Sequence, residues 1–272
     1  MITYRATLDV SRELVCHLSL LLSAERRRLG TRSGSRALTC FEQAVMGLRW
    51  FRDRTDRAAL GRDHGVSRAT AYRYIDEVID VLADQAPDLH HALRRATDAT
   101  HPPDLGRHRH RHRPLRREDH QRQGEPIDLW YSGKTRHHGG NIQALSAPCG
   151  LPLWVSAVEP GSVHDLTAAR TRPGSAVQSR RRRPAHLGRL RLRRCRHRHS
   201  HPGQTPRRRP LDLDTRTRNA LLRALRCLGE RGFALLTQRW RTLQRITASP
   251  SRIGDVVKAA LVLTHFEHGY LK

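Results

Sequence analysis

Apolar residues recur with a helical period through the first third of the chain. Thr39-Cys40-Phe41-Glu42 has the form of a capping box and leads an apolar-periodic stretch through Phe51. Thr55 is placed to cap a short helix over Asp56 to Asp63, and Gly65 breaks it. Ser67 then caps a longer helix that carries Ala71, Ile75, Val78, Ile79 and Leu82 on one face. Short helix, glycine turn and capped second helix make the helix-turn-helix pattern. Residues 1–95 therefore read as a helical domain, with that pattern at about 39–84. Downstream the period shortens. Ile127 to Tyr131, Asn141 to Ser146 and Leu153 to Val158 are short strand candidates. Gly139-Gly140 and Pro148-Cys149-Gly150 punctuate them. The meander ends at Gly161-Ser162-Val163-His164-Asp165-Leu166-Thr167, where a helix is expected to start. From Leu211 the pattern is helical again, with Leu221, Leu222, Leu225 and Leu228 on one face. Arg226 and Glu230 sit four apart there, the spacing of an ordinary surface ion pair.

Charge changes this picture. The 272 residues carry a net charge of +26, which points to a polyanion, most simply nucleic acid. All but Lys134, Lys258 and Lys272 of the 51 basic residues are arginine, as a GC-rich coding sequence would produce. Cys16, Cys40, Cys149, Cys195 and Cys227 form no close pair, so reduced thiols are expected rather than a disulfide scaffold or zinc ribbon. The longest apolar stretch, around Leu18 to Ala24, is too short to cross a bilayer, and no signal-peptide pattern opens the chain. A soluble, intracellular, basic protein without a membrane partner is the expectation. Exposed groups in the first turn of the second helix, Ser67, Arg68, Thr70, Tyr72 and Arg73, are then candidates to meet base edges and phosphates in a major groove. A helical hairpin with solvated arginines is the plainer alternative.

Two tracts do not read as folded protein. No Phe, Trp or Tyr occurs between Tyr74 and Trp130 or between Trp154 and Phe233. The first tract, about His101 to Pro126, contains Arg107-His108-Arg109-His110-Arg111-His112-Arg113. The second, about Thr171 to Pro210, has 14 arginines and no acid. Neither has the apolar content to offset the entropy of ordering, so both are expected to be mobile. A flexible phosphate-binding arm is one reading. Metal binding or storage by the 18 histidines is another, opposed by the interleaved guanidinium charges. The third is a displaced reading frame. Arg-His repeats are CGN-CAY codons, and a one-base shift gives GNC-AYC. That shift reads as Asp, Gly, Ala or Val alternating with Thr or Ile, a strand pattern.

Together these stretches resemble bacterial insertion-sequence transposases of the DDE superfamily, in the insertion-sequence-five group. The resemblance is carried by Leu38 to Ala83, Ile127 to Arg170 and Leu211 to Tyr270. Its particular phrases are Leu129-Trp130-Tyr131-Ser132-Gly133-Lys134, Gly161-Ser162-Val163-His164-Asp165-Leu166 and Arg226-Cys227-Leu228-Gly229-Glu230-Arg231-Gly232-Phe233. The resemblance implies an α/β fold class: a helical helix-turn-helix domain, then a ribonuclease-H-like α/β domain, here partly degraded. Two aspartates and a glutamate would hold two Mg²⁺ ions for in-line attack on a DNA phosphodiester. Glu230 matches the family glutamate and Arg226 the arginine one turn before it. The lysine expected after Glu230 is absent, with Thr237 and Arg239 nearby. Asp165 matches a recurring family aspartate and is a secondary metal candidate.

The two principal aspartates belong in the two odd tracts and are missing there. Under the same one-base shift, Leu105-Gly106-Arg107-His108 permits Leu-Asp-Gly-Thr, and Leu187 to Leu192 permits Trp-Ala-Asp-Ser-Gly-Tyr. The resemblance thus implies a frame-disrupted transposase. Residues 1–95 would bind DNA, 96–126 would be out of frame, and 127–272 would be a remnant endonuclease domain interrupted at about 171–210. The first strand and one central strand of that domain are expected to be missing. Implied partners are terminal inverted repeats and target DNA, with room for a homo-oligomer, in a bacterial cytoplasm at the nucleoid. One alternative is a competent enzyme drawing on Asp128 and Asp165. Another is a non-enzymatic DNA-binding protein that occupies transposon ends.

Overall fold

The computed structural model describes residues 7–98, 104–111, 118–120, 126–132, 136–147, 149–163, 230–246 and 248–270. Five helices come first, and local side chains set all five of their starts, Asp88 accepting from His91 N at the last. Ser11 Oγ accepts from Leu14 N at 3.2 Å and opens α1 (Arg12–Arg28), whose Leu14, Val15, Leu18 and Leu22 form the buried stripe. Thr39 and Glu42 complete the expected capping box at the start of α2 (Cys40–Asp53). The next helix, α3 (Arg57–Asp63), is capped by Asp56, which accepts from Ala59 N at 3.0 Å. Thr55 does not take that place as expected, because the helix begins one residue too late for its hydroxyl to meet the free N–H groups. Gly65, at φ +65°, turns the chain, and Ser67 caps α4 (Arg68–Ala83) as anticipated. A fifth helix, α5 (Leu89–Asp98), follows.

A small antiparallel sheet occupies the middle of the chain. Its strands are β1 (Asp104–Arg111), β4 (Tyr131–Ser132), β5 (His137–Ser146), β6 (Pro152–Val155) and β7 (Glu159–Pro160). A separate two-stranded ladder joins β2 (Glu118–His120) to β3 (Pro126–Asp128). β5 is the central strand. It pairs with β1 from Asp104 opposite Ser146 to Arg111 opposite Gly139, and with β6, β7 and β4 along its other edge. Strands are thus found at the three places where the hydrophobic pattern suggested them, the first divided by a turn between β3 and β4.

The expectation that the first tract supplies no strand is corrected by β1. Ladder hydrogen bonds use backbone N–H and C=O groups, which an Arg-His alternation offers as well as any other sequence. Its period of two also matches the pleat. Residues 164–229, which include the second tract and the helix expected near Asp165, lie outside the described residues.

Helix α6 (230–239) begins the C-terminal part, a short 3₁₀ turn spans Arg241–Gln244, and α7 (Pro250–Glu267) completes it. The described part of α6 carries Glu230 and ends before Trp240, and α7 is a separate helix; residues 211–229, read as helical from the sequence, lie outside the described residues. α7 is apolar nearly all round, with Ile253, Val256, Val257 and every residue from Ala259 to His265 buried, so it has to lie inside the molecule. It packs against α4 and against β6. One continuous core therefore joins Leu14 and Leu18 of α1, Phe51 of α2, Ile75 and Val78 of α4, Ile142 of β5 and Val256 of α7.

Polar ties cross the same boundary. Buried Trp240 donates from Nε1 to Thr264 Oγ1 at 2.9 Å and sets its ring edge-on to Phe51. Thr242 Oγ1 donates to the Trp50 carbonyl. Arg252 of α7 bridges to Asp80 of α4 at 2.6 Å. A smaller cluster of Ala92, Leu145, Ala147, Leu151 and Leu153 lies on the other side of β5. The whole is mixed helical with a small antiparallel sheet, an α/β arrangement. No described helix is long and apolar enough to cross a membrane.

Candidate functional site

The five residues read as DNA contacts come together at the start of α4. Ser67 Oγ accepts from Thr70 N at 3.2 Å and lies 2.9 Å from Thr70 Oγ1. Arg73 Nη2 donates to Thr70 Oγ1 at 3.3 Å. Ser67, Arg68 and Arg73 are exposed, whereas Thr70 and Tyr72 are half-buried. The Ser67 hydroxyl is thus occupied in capping, and the exposed cationic groups of this turn are Arg68 and Arg73. The uncapped N–H groups of a first helical turn add partial positive charge to theirs.

Behind this surface stands a stack that no motif in the sequence disclosed. The Arg57 guanidinium lies 4.7 Å from the Trp50 ring centre and 5.0 Å from that of Tyr72. It also reaches Asp76 at 3.0 Å. The Arg68 guanidinium lies 5.5 Å from the Tyr72 ring centre. Trp50, Arg57 and Tyr72 come from three helices, so periodicity along any one of them gives no sign of their meeting. Close by, Arg49 pairs with Asp63 at 2.7 Å. Burial, reinforced by the Arg49 charge, pushes the His64 pKa below its ordinary value.

The second candidate centre is the first described turn of α6. Glu230 is exposed there, the first described residue of its helix. The helix is seated closely on the end of β5: a Cβ at Gly232 would stand 2.7 Å from Ser146 Oγ and 3.0 Å from the Gly150 carbonyl. Only glycine permits that approach. Ser146 is also the register partner of Asp104, the first residue of β1. The helix bearing Glu230 is therefore docked where β1 and β5 meet.

Arg226 and Asp165 lie outside the described residues. Asp128 sits opposite Glu118 on the two-stranded ladder, not on the five-stranded sheet. Among the described residues no three His, Cys, Asp or Glu side chains gather as metal ligands would. A two-ion site needs converging carboxylates, and among the described residues Glu230 belongs to no such group.

Comparison with known proteins adds one finding. A family model described as DDE superfamily endonuclease matches residues 117–265. That span is more than half the chain. It contains Asp165, Arg226 and Glu230, and it begins downstream of α4 and β1. No curated protein and no solved structure matches significantly.

Proposed function

Since this chain belongs to the DDE superfamily endonuclease family, we propose that it is an insertion-sequence transposase of the insertion-sequence-five group that still recognises DNA but has lost its chemistry. The family match over residues 117–265 carries the reading. In this reading residues 1–95 are the DNA-binding domain, 96–126 an out-of-frame tract, and 127–272 a remnant ribonuclease-H-like domain interrupted at about 171–210. The antiparallel pairing of β5 with β6 supports such a remnant. Helix α3, the Gly65 turn and α4 serve as the helix-turn-helix, with Ser67, Arg68, Thr70, Tyr72 and Arg73 at the DNA. Terminal inverted repeats are the binding site, target DNA the second substrate, and the bacterial nucleoid the place of action.

The family's metal does not fit this chain as it stands. Mg²⁺ requires several oxygen ligands, and a two-ion centre requires carboxylates shared between the ions. Glu230 remains, Arg226 and Asp165 accompany it in sequence, and the positions where the two principal aspartates belong, at Gly106 and across Arg189 and Leu190, carry no carboxylate. Catalytic groups that act as a unit lose most of their effect when one is missing. The chain is accordingly inactive in strand cleavage and transfer.

A second reading is favoured by the capped and arginine-bearing start of α4: a non-enzymatic protein that occupies transposon ends. Both readings meet the same experiment. The full chain is mixed with terminal-repeat duplex and Mg²⁺, and binding and nicking are followed as salt is raised. Binding that weakens with salt, without nicking, is expected. Robust Mg²⁺-dependent turnover would sink the loss of chemistry, and no binding at any salt would sink the DNA reading.

A further inference from the structure

We propose that Arg57 is the positioning residue of the DNA-facing surface: wedged between Trp50 and Tyr72, it holds the Tyr72 ring as the support on which Arg68 is aimed. The inference rests on the DNA-binding reading above and adds a role to a residue that this reading does not use.

The geometry is that of a ladder. Trp50, 6% exposed, is its inner rung. Arg57 comes next, its side chain 12% exposed, with Asp76 fixing one end of the guanidinium at 3.0 Å. Tyr72 follows at 5.0 Å and Arg68 at 5.5 Å from that ring. Planar, weakly hydrated guanidinium groups are suited to aromatic faces, and an ammonium is not an equivalent substitute. The alternation thus runs from the core of the molecule to the exposed first turn of α4.

Two consequences follow for recognition. Arg57 is too enclosed to reach a phosphate, so its charge acts through its neighbours. Arg68 is supported before DNA arrives, which lowers the ordering cost that a free arginine would meet on binding. Tyr72, contacted by two guanidinium groups, serves as a shelf and not as a base-stacking surface. Asp76 anchors the ladder further, because its carbonyl also accepts from Arg252 of α7 at 3.4 Å.

The test uses the full chain with Arg57→Met, which keeps length and packing but removes charge and plane, and Arg57→Lys, which keeps only the charge. Arg68→Ala is the reference. The first measurement needs no DNA: the ring-current shift of the Arg68 side-chain protons in solution spectra, with thermal unfolding recorded in parallel. The second is enrichment from a randomised duplex pool, read as the ratio of selected to unselected DNA affinity and as the slope of affinity against salt.

Both Arg57 variants are expected to fold, to lose the Arg68 shift, and to lower the selectivity ratio on the order of tenfold, as for contacting pairs. Their salt slope should stay at the wild-type value. Arg68→Ala should lower the ratio and also reduce the slope by about 0.9, one phosphate contact. An Arg68 shift that persists in Arg57→Met overturns the proposal, as does full selectivity in Arg57→Lys or a slope reduced in the Arg57 variants. If the wild-type chain enriches no sequence, the DNA reading itself fails, while the spectral measurement still decides the ladder.

Discussion

The start of α4 and the first described turn of α6 are built by different means. Each element of the first is closed locally: Ser67 caps its own helix, Thr70 bonds back to Ser67, and Arg73 bonds to Thr70, all within seven residues. Glu230 depends on distant chain. Its helix is seated on Ser146 and Gly150, and its family partners would come from the two arginine-rich tracts. Under the proposed shift of reading frame, those tracts would leave the first surface whole and take away the partners of the second. A centre assembled from several separated strands is the more fragile one, since one damaged segment disables all its members.

The comparison is most exposed to an experiment on chemistry. Recoding both tracts in the shifted frame should raise Mg²⁺-dependent nicking of terminal-repeat DNA by several orders of magnitude over the chain as written. Glu230→Gln in the recoded protein should remove that gain. DNA affinity should change little in either case. Equal activity before and after recoding would end the distinction between the two regions.

Next in size is the junction that binds the two regions into one core. Trp240→Ala removes a wholly buried indole that meets Phe51 and bonds to Thr264, and should cost about 3–5 kcal/mol of unfolding free energy in urea. A single transition losing that amount supports one cooperative unit. Loss confined to the C-terminal part would show that the N-terminal helices stand alone.

Acid should reach the sheet side first. His265 is 2% exposed and donates from Nε2 to the Pro152 carbonyl at 2.7 Å. Burial holds its pKa down to about 4, against an ordinary 6.5. The folded protein keeps the ring neutral where the unfolded chain would protonate it. Its contribution is therefore complete above pH 6.5 and is lost as the pH falls towards 4. On this ground stability should drop by roughly 3 kcal/mol across that window. His265→Gln should flatten the slope of stability against pH there, and an unchanged slope would assign the acid response to other groups.

The smallest effect lies at α4 itself. Ser67→Ala removes the cap and should cost about 1 kcal/mol of stability, with weaker DNA binding in proportion to fraying of the first turn. A larger loss would mean that the start of α4 is less self-contained than its hydrogen bonds imply.

Much of the helical part was legible because its signals are short-range. A cap and its N–H partner lie three residues apart, and an apolar stripe repeats within one turn. The capping box at Thr39, the cap at Ser67 and the buried face of Ala71, Ile75, Val78, Ile79 and Leu82 all follow from such spacing. Asp56 in place of Thr55 marks the limit, where two competent caps stand side by side. The arginine-rich β1 was not legible, since its composition argues against order while its pairing uses only backbone groups. Arg57 was equally hidden, because its partners lie on α2 and α4 and no pattern within α3 points to them.

Local physics thus accounts for the first helices of this chain and for the cationic turn at Ser67 to Arg73, since caps and periods act within a few residues. Assembly required the folded state. Only there does an all-apolar α7 unite helices from one end of the chain with strands from its middle, and only there do Trp50, Arg57 and Tyr72 meet. Those contacts arise from burying apolar surface between segments far apart in sequence, and such surface carries no label of its partner.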